Sequence, residues 1–209
     1  MFLLALIAIC SASPPAQTLE MLGEALEALG DPAAVRSFTV TTLAVSSDED
    51  ESDRHEDLVV TELTSDGTEI SSNNISVLHD GEPVSEKKKK KESEQELELT
   101  LPYGDDLAKY TFGVCETDSC SFEPASDAID ESMVSGIIKW DPESLAPKSL
   151  QLTHLKTPLM VKQLSTTIII DSTGGKLHTS RIVSSGKAGL PGMRKSFQIK
   201  MEFAKVAWY

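Results

Sequence analysis

Hydrophobic and polar positions alternate along most of this chain. Glu96 to Leu101 is the plainest case, with Leu97, Leu99 and Leu101 on one face and Glu96, Glu98 and Thr100 on the other. Tyr110, Phe112 and Val114 alternate in the same way. Ser149 to Lys156 sets Leu150, Leu152 and His154 against Gln151, Thr153 and Leu155. Ser196 to Phe203 sets Phe197, Ile199, Met201 and Phe203 against Gln198, Lys200 and Glu202. Ser37–Val45, Leu58–Leu63, Val134–Trp140, Leu164–Ile170 and Leu177–Val183 complete nine predicted strands, the last one following a Gly174-Gly175 turn. Period-two alternation with polar alternates is the mark of an antiparallel sheet with one wet face. Strands in succession with short turns exclude a βαβ nucleotide-binding fold.

One segment has a different period. Leu19, Leu22, Leu26 and Leu29 recur at helical spacing, and Gly30-Asp31-Pro32 is a helix stop. The spacing predicts an amphipathic helix over Thr18 to Gly30. Ahead of it, Phe2 to Ile9 reads FLLALIAI, followed by the small and helix-breaking residues Cys10 to Ala16. An apolar core of about 7–15 residues followed by small residues is the plan of a secretory signal peptide. The run is shorter than the about 20 residues that a membrane-spanning helix needs. No Lys or Arg precedes it. The expected layout is a signal peptide over 1–16, cleaved after Ala12 or Ala16, and a single β-rich domain over 17–209, periplasmic or secreted. A diacylated Cys10 would instead tether the chain to a membrane, but Ile9 stands where lipoprotein signals place a small residue.

Composition narrows the partners. The chain has 209 residues, 40% hydrophobic and 25% charged, which fits one globular domain rather than a disordered chain. Acidic residues outnumber basic ones 33 to 19, for a net charge of −14. Such a surface repels phosphate backbones, so no nucleic-acid partner is expected. Two charged stretches read as solvated loops between strands: Ser46 to Asp57, and Glu82 to Glu96 with its run Lys87 to Lys91. Asp48 to Asp57 carries oxygen donors suited to calcium but lacks the glycine-punctuated loop of an EF-hand. The lysine run would favour an anionic lipid surface, but Glu86, Glu92, Glu94 and Glu96 offset it.

The sequence carries few chemical signals. Cys115 and Cys120 remain as an even pair once the leader is removed, and in an exported chain that predicts one disulfide across a short hairpin. The four histidines have no acid or metal partner at recognisable spacing, so neither a metal nor a cofactor is expected. Tyr103-Gly104-Asp105-Asp106 reads as a turn after Pro102 rather than a metal-binding pair of aspartates. Ser185-Gly186 and Ser172-Thr173-Gly174-Gly175 are turns, not a nucleophile elbow. Gly174-Gly175-Lys176 is too short for a phosphate loop. A binding role is therefore expected rather than an enzyme, although a hydroxyl–His–carboxylate set assembled in space would mark a hydrolase. Asn74-Ile75-Ser76 is a glycosylation sequon, relevant in a eukaryotic source.

Several segments resemble the periplasmic outer-membrane lipoprotein-sorting carriers, the LolA-like family. They are Leu19 to Gly30 leading into Val35-Arg36-Ser37-Phe38-Thr39-Val40, then Asp80-Gly81-Glu82-Pro83-Val84. Later come Gly136-Ile137-Ile138-Lys139-Trp140-Asp141-Pro142 with Leu145-Ala146-Pro147-Lys148, and the closing alternation Ser196 to Phe203. The resemblance implies an α+β fold, mainly β: a curved antiparallel sheet forming an unclosed barrel with helical cover. Its concave face would bind an acyl chain or lipoprotein, and Leu97, Leu99, Leu101, Phe197, Ile199, Met201 and Phe203 are the candidate lining. The family's proline- and arginine-containing strand has no clear counterpart here, and Arg36 is the nearby arginine. The alternative is a cell-envelope protein-binding or structural module of the same fold with a filled core.

Overall fold

A computed structural model of the chain describes residues 35–48, 52–66, 70–84, 110–125, 134–157, 160–189 and 195–209. These form eleven strands: β1 (Val35–Ser47), β2 (Arg54–Ser65), β3 (Ile70–His79), β4 (Glu82–Pro83), β5 (Tyr110–Cys115), β6 (Ser119–Pro124), β7 (Val134–Trp140), β8 (Pro147–His154), β9 (Val161–Thr173), β10 (Lys176–Ala188) and β11 (Lys195–Trp208). All belong to one antiparallel sheet, in the order β4-β3-β2-β1-β11-β10-β9-β8-β7-β6-β5. The sheet is unclosed, because its two edges, β4 and β5, do not pair with each other. Neighbours in the sheet are neighbours in sequence everywhere except at β1 and β11, which join two meanders along the middle.

The strand expectations hold for β1, β2, β5 and β7 to β11. Three strands had no expectation: β3, β4 and β6. The acidic stretch Ser46 to Asp57 is shorter as a connection than expected. Ser46 and Ser47 end β1, and Arg54 to Asp57 open β2, where they pair with β1. Glu82 and Pro83, expected to begin a loop, form β4 against Leu78 and His79. Backbone pairing overrides the polar character of these short ends because each adds ladder hydrogen bonds to a strand already formed. The segment 1–16, the Thr18–Gly30 helix, the Lys87–Lys91 run, the Glu96–Leu101 strand and Tyr103–Asp106 lie outside the described residues. No helix occurs among the described residues, so the sheet is observed and the expected helical cover is not.

Tight turns use the residues their backbone needs. Gly174 and Gly175, at φ +63° and +79°, close the two-residue β9–β10 hairpin, as the alternation implied. Asp80 and Gly81, at φ +50° and +82°, do the same between β3 and β4. Asp tolerates this left-handed conformation better than most residues.

Cys115 and Cys120 stand directly opposite across the β5–β6 hairpin, with Cα atoms 4.1 Å apart, and form a disulfide. The loop it closes is short, so the chain-entropy contribution is about 2 kcal/mol. Guanidinium unfolding with and without dithiothreitol should show a loss of that size on reduction. Equal midpoints would mean that the bond adds nothing to the sheet.

Candidate functional site

Directly opposed residues in an antiparallel ladder share a face, so the register traces each face across the sheet. One row runs Val77, Val59, Thr42, Met201, Ile182, Ile168, Leu150, Ile138, Cys120, Cys115, crossing ten strands with a single polar residue. The next row on the same face runs His79, Asp57, Ala44, Ile199, Ser184, Thr166, Leu152, Gly136, Phe122, Phe112. Its one central polar pair is self-satisfied, since the hydroxyls of Ser184 and Thr166 lie 3.0 Å apart. The opposite face is polar where β11, β10 and β9 meet: Glu202 pairs with Arg181 at 3.0 Å and with Lys200 at 2.9 Å, and Thr167 and Gln151 lie alongside. The sheet is therefore amphipathic where β9, β10 and β11 meet, whereas across β1, β2 and β3 the opposite face carries an apolar row of its own, Leu43, Leu58 and Leu78.

Burial along the apolar face is uneven. From β5 to β9 the residues are deeply buried: Leu150 at 1% exposure, Cys120 at 1%, Ile138 and Ile168 at 3%. Phe122, Trp140, Leu152 and Ile170 complete this core, with Tyr110 and Phe112 packed against it. From β10 through β11 to β2 the same rows are half-buried at Ile182, Met201, Ile199, Ala44 and Val59, while on the same face Val40 at 1%, Leu63 at 7% and Val77 at 4% are buried again on β1, β2 and β3.

Phe197, Ile199, Met201 and Phe203 all fall on this apolar face and all are half-buried. Phe203 faces Val40 and lies 5.9 Å, centroid to centroid, from the ring of Phe38. Phe197 lies over Gly186, where an added Cβ would stand 2.7 Å from its ring. Leu97, Leu99 and Leu101 lie outside the described residues. A shallow cavity of about 250 Å³ lies over β7 to β9 and is lined mostly from the opposite face, by Ile137, Gln151, Thr153, Ser165 and Thr167. It is smaller than the about 300–1,000 Å³ usual for small-molecule pockets.

A second cluster lies at one rim of the sheet, where β2 and β11 begin and β3 turns into β4. Asp57 and His79 are opposed in the β2–β3 ladder, and His55 is one step further along the same face of β2. His79 Nδ1 lies 2.6 Å from Asp57 Oδ1, and His79 Nε2 lies 3.5 Å from Asp80 Oδ2. His55 Nδ1 lies 3.0 Å from the same Asp80 Oδ2, and His55 Nε2 lies 2.9 Å from Asp53 Oδ1. The two rings are stacked with centroids 6.0 Å apart. Asp80 Oδ1 accepts the Glu56 backbone N–H at 2.8 Å. Asp53 is also paired with Lys195. The hydrogen bond to Asp80, with the charge of Asp53 next, raises the His55 pKa above its ordinary value. The same bond and the Glu56 N–H lower that of Asp80, while Lys195 lowers that of Asp53. These contacts correct the expectation that the histidines have no acid partner.

Among the described residues neither of the other two histidines forms an ion pair, although His178 stands opposite Asp171 in the β9–β10 ladder. His154 is half-buried, and burial lowers its pKa. His178 has Thr173 Oγ1 at 3.0 Å from one ring nitrogen and the Thr179 carbonyl at 3.1 Å from the other. A carbonyl thus takes the place that a hydrolase triad gives to a carboxylate. Asn74 of the sequon lies in β3 with its amide oxygen accepting from Thr61 Oγ1 at 2.7 Å.

Among the described residues, sheet order and face chemistry together define one unclosed antiparallel sheet with a long apolar row on one face. Solved structures with a comparable layout include a LolA superfamily protein from Nitrosomonas europaea, at 10% identity and a TM-score of 0.35, covering 92% of this chain and 93% of that one. A domain from Vibrio parahaemolyticus assigned to outer membrane lipoprotein sorting matches at 9% identity and a TM-score of 0.41, covering 90% and 92%. The Pseudomonas aeruginosa MucA/MucB complex matches at 10% identity and a TM-score of 0.22, covering 88% and 94%. At these scores no residue role passes from them to this chain. No protein-family model and no curated protein matches the sequence.

Proposed function

We propose that this chain is an exported, non-catalytic binding domain whose apolar sheet face takes an acyl chain or lipoprotein in the manner of a carrier. The supporting observation is the partial exposure of the β11 side chains. Apolar residues on both sides are buried, among them Leu150, Ile168 and Val40, while Phe197, Ile199, Met201 and Phe203 between them keep part of their surface accessible. Apolar surface of that kind recognises hydrocarbon without polar specificity. The export half of the reading comes from the signal-like segment Phe2 to Ala16.

Each buried CH₂ contributes about 0.8 kcal/mol, close to fourfold in affinity. Delipidated protein titrated with fluorescent fatty acids should therefore bind longer chains more tightly, by about that factor per CH₂ until the site is filled. Met201→Asp should weaken binding at least tenfold while circular dichroism stays that of the parent sheet. A folded, delipidated protein that takes up none of the probes would sink the carrier reading.

A second reading, an envelope protein-binding module with a filled core, has its own support. β5 is an edge strand, and Val114 on it is 63% exposed. An exposed edge can accept a partner's strand by backbone pairing.

A further inference from the structure

We infer that the rim cluster of His55, His79 and Asp80 is a binding site for one divalent transition-metal ion of the zinc type. This goes beyond the carrier reading and does not depend on it.

The first observation is convergence. One ligand atom of each of the three residues lies within 4.8 Å of the others. Asp80 Oδ2 sits between His55 Nδ1 at 3.0 Å and His79 Nε2 at 3.5 Å. Tetrahedral zinc with bonds of about 2.0–2.1 Å places neighbouring ligand atoms about 3.3 Å apart. The two separations from Asp80 bracket that value, and the two ring nitrogens, within 4.8 Å of each other, close on the ion by side-chain rotation.

The second observation is how the three groups are held from behind. The outer nitrogen of His55 is held by Asp53 at 2.9 Å, and the outer nitrogen of His79 by Asp57 at 2.6 Å. A carboxylate on the far nitrogen fixes the tautomer and the ring direction and makes the inner nitrogen a better ligand. Asp80 is held in the same manner, since its other oxygen accepts the Glu56 N–H.

Charge is the third. With neutral imidazoles, Asp53, Asp57 and Asp80 against Lys195 leave two negative charges, which a divalent cation cancels. Two imidazole nitrogens with one carboxylate suit zinc, nickel or copper rather than calcium or magnesium, which take oxygen. Three protein ligands leave a fourth position for water or for a group from a partner.

The test is calorimetric titration of tag-free protein with ZnCl₂, repeated with CaCl₂, and visible absorption on titration with Co²⁺. The expected result is one Zn²⁺ per chain, no calcium heat, and a cobalt spectrum of tetrahedral intensity. His55→Ala and His79→Ala should each lower zinc affinity at least tenfold, and Asp57→Asn should lower it about 10–100-fold by releasing the ring it orients. His178→Ala, at the opposite rim, should leave it unchanged. Because both rim histidines are about half exposed, at 46% and 56%, their variants should fold as the parent does. Unchanged zinc binding in the double variant His55→Ala/His79→Ala would overturn the assignment. So would the absence of zinc binding by the parent protein.

Discussion

Leu150→Ala is expected to cost about 3–4 kcal/mol, among the largest losses from a single truncation in this sheet. Leu150 is 1% exposed and lies at the centre of the buried row, directly opposite Ile138 on β7 and Ile168 on β9. Its removal takes away the contacts of both neighbours as well as its own transfer energy. β-strands on either side are held in register by ladders, so the gap closes poorly. For a chain of this size the melting midpoint should fall by about 10 °C. Ile199→Ala is the informative contrast. Ile199 is half-buried on the same face, so its loss should be nearer 1 kcal/mol by the area it hides. Equal losses at both positions would mean that Ile199 is as buried as Leu150, and the carrier reading would lose its support.

Gly136→Ala should be comparably damaging, although it adds only a methyl group. A Cβ at this position would stand 2.0 Å from the Gln151 carbonyl oxygen and 3.0 Å from the ring of Phe122. Backbone on the neighbouring strand cannot rotate away, so β7 and β8 must separate. The expected cost is about 3 kcal/mol, at the upper end of overpacking effects. Gly113→Ala is the control, since its Cβ would meet only the Ser121 hydroxyl, at 2.8 Å. That side chain can turn aside with the loss of its hydrogen bond to the Val114 N–H, about 1 kcal/mol. Chemical denaturation of the two variants side by side decides the matter. Similar midpoints would show that β7 tolerates displacement from β8.

The strands that could be read from sequence are those whose inner positions are apolar. β8 and β11 announce themselves through Leu150 and Leu152, and through Phe197 to Phe203. β3 does not, because Ser71 to Asn74 offer neither alternation nor strand propensity. It forms because β2 supplies a complete ladder partner over Asp57 to Ser65. β6 is short and ends in Pro124, so only the cysteine spacing pointed to a hairpin there. The histidine cluster was hidden for the same reason as β3. His55 and Asp57 sit in an acidic run that reads as solvent-facing, and His79 lies 22 residues beyond Asp57. Their meeting depends on a β2–β3 register that cannot be stated until β3 is known to be a strand. The apolar alternation of β11, by contrast, was legible because it lies within a single strand.

The strand order has a consequence for how the chain reaches this state. Every ladder but one joins segments adjacent in sequence, and the exception pairs Val35 with Trp208 and Ser47 with Ser196. The molecule is a plain up-and-down meander whose numbering has been rotated, so that its first and last strands meet in the middle of the sheet. Loop-closure entropy therefore concentrates in a single long-range event, the zipping of β1 onto β11. Until that event the two meanders are separate sheets, each with an unpaired inner edge, β1 or β11. Folding time and exposure to misassociation are set at this seam rather than in the buried core.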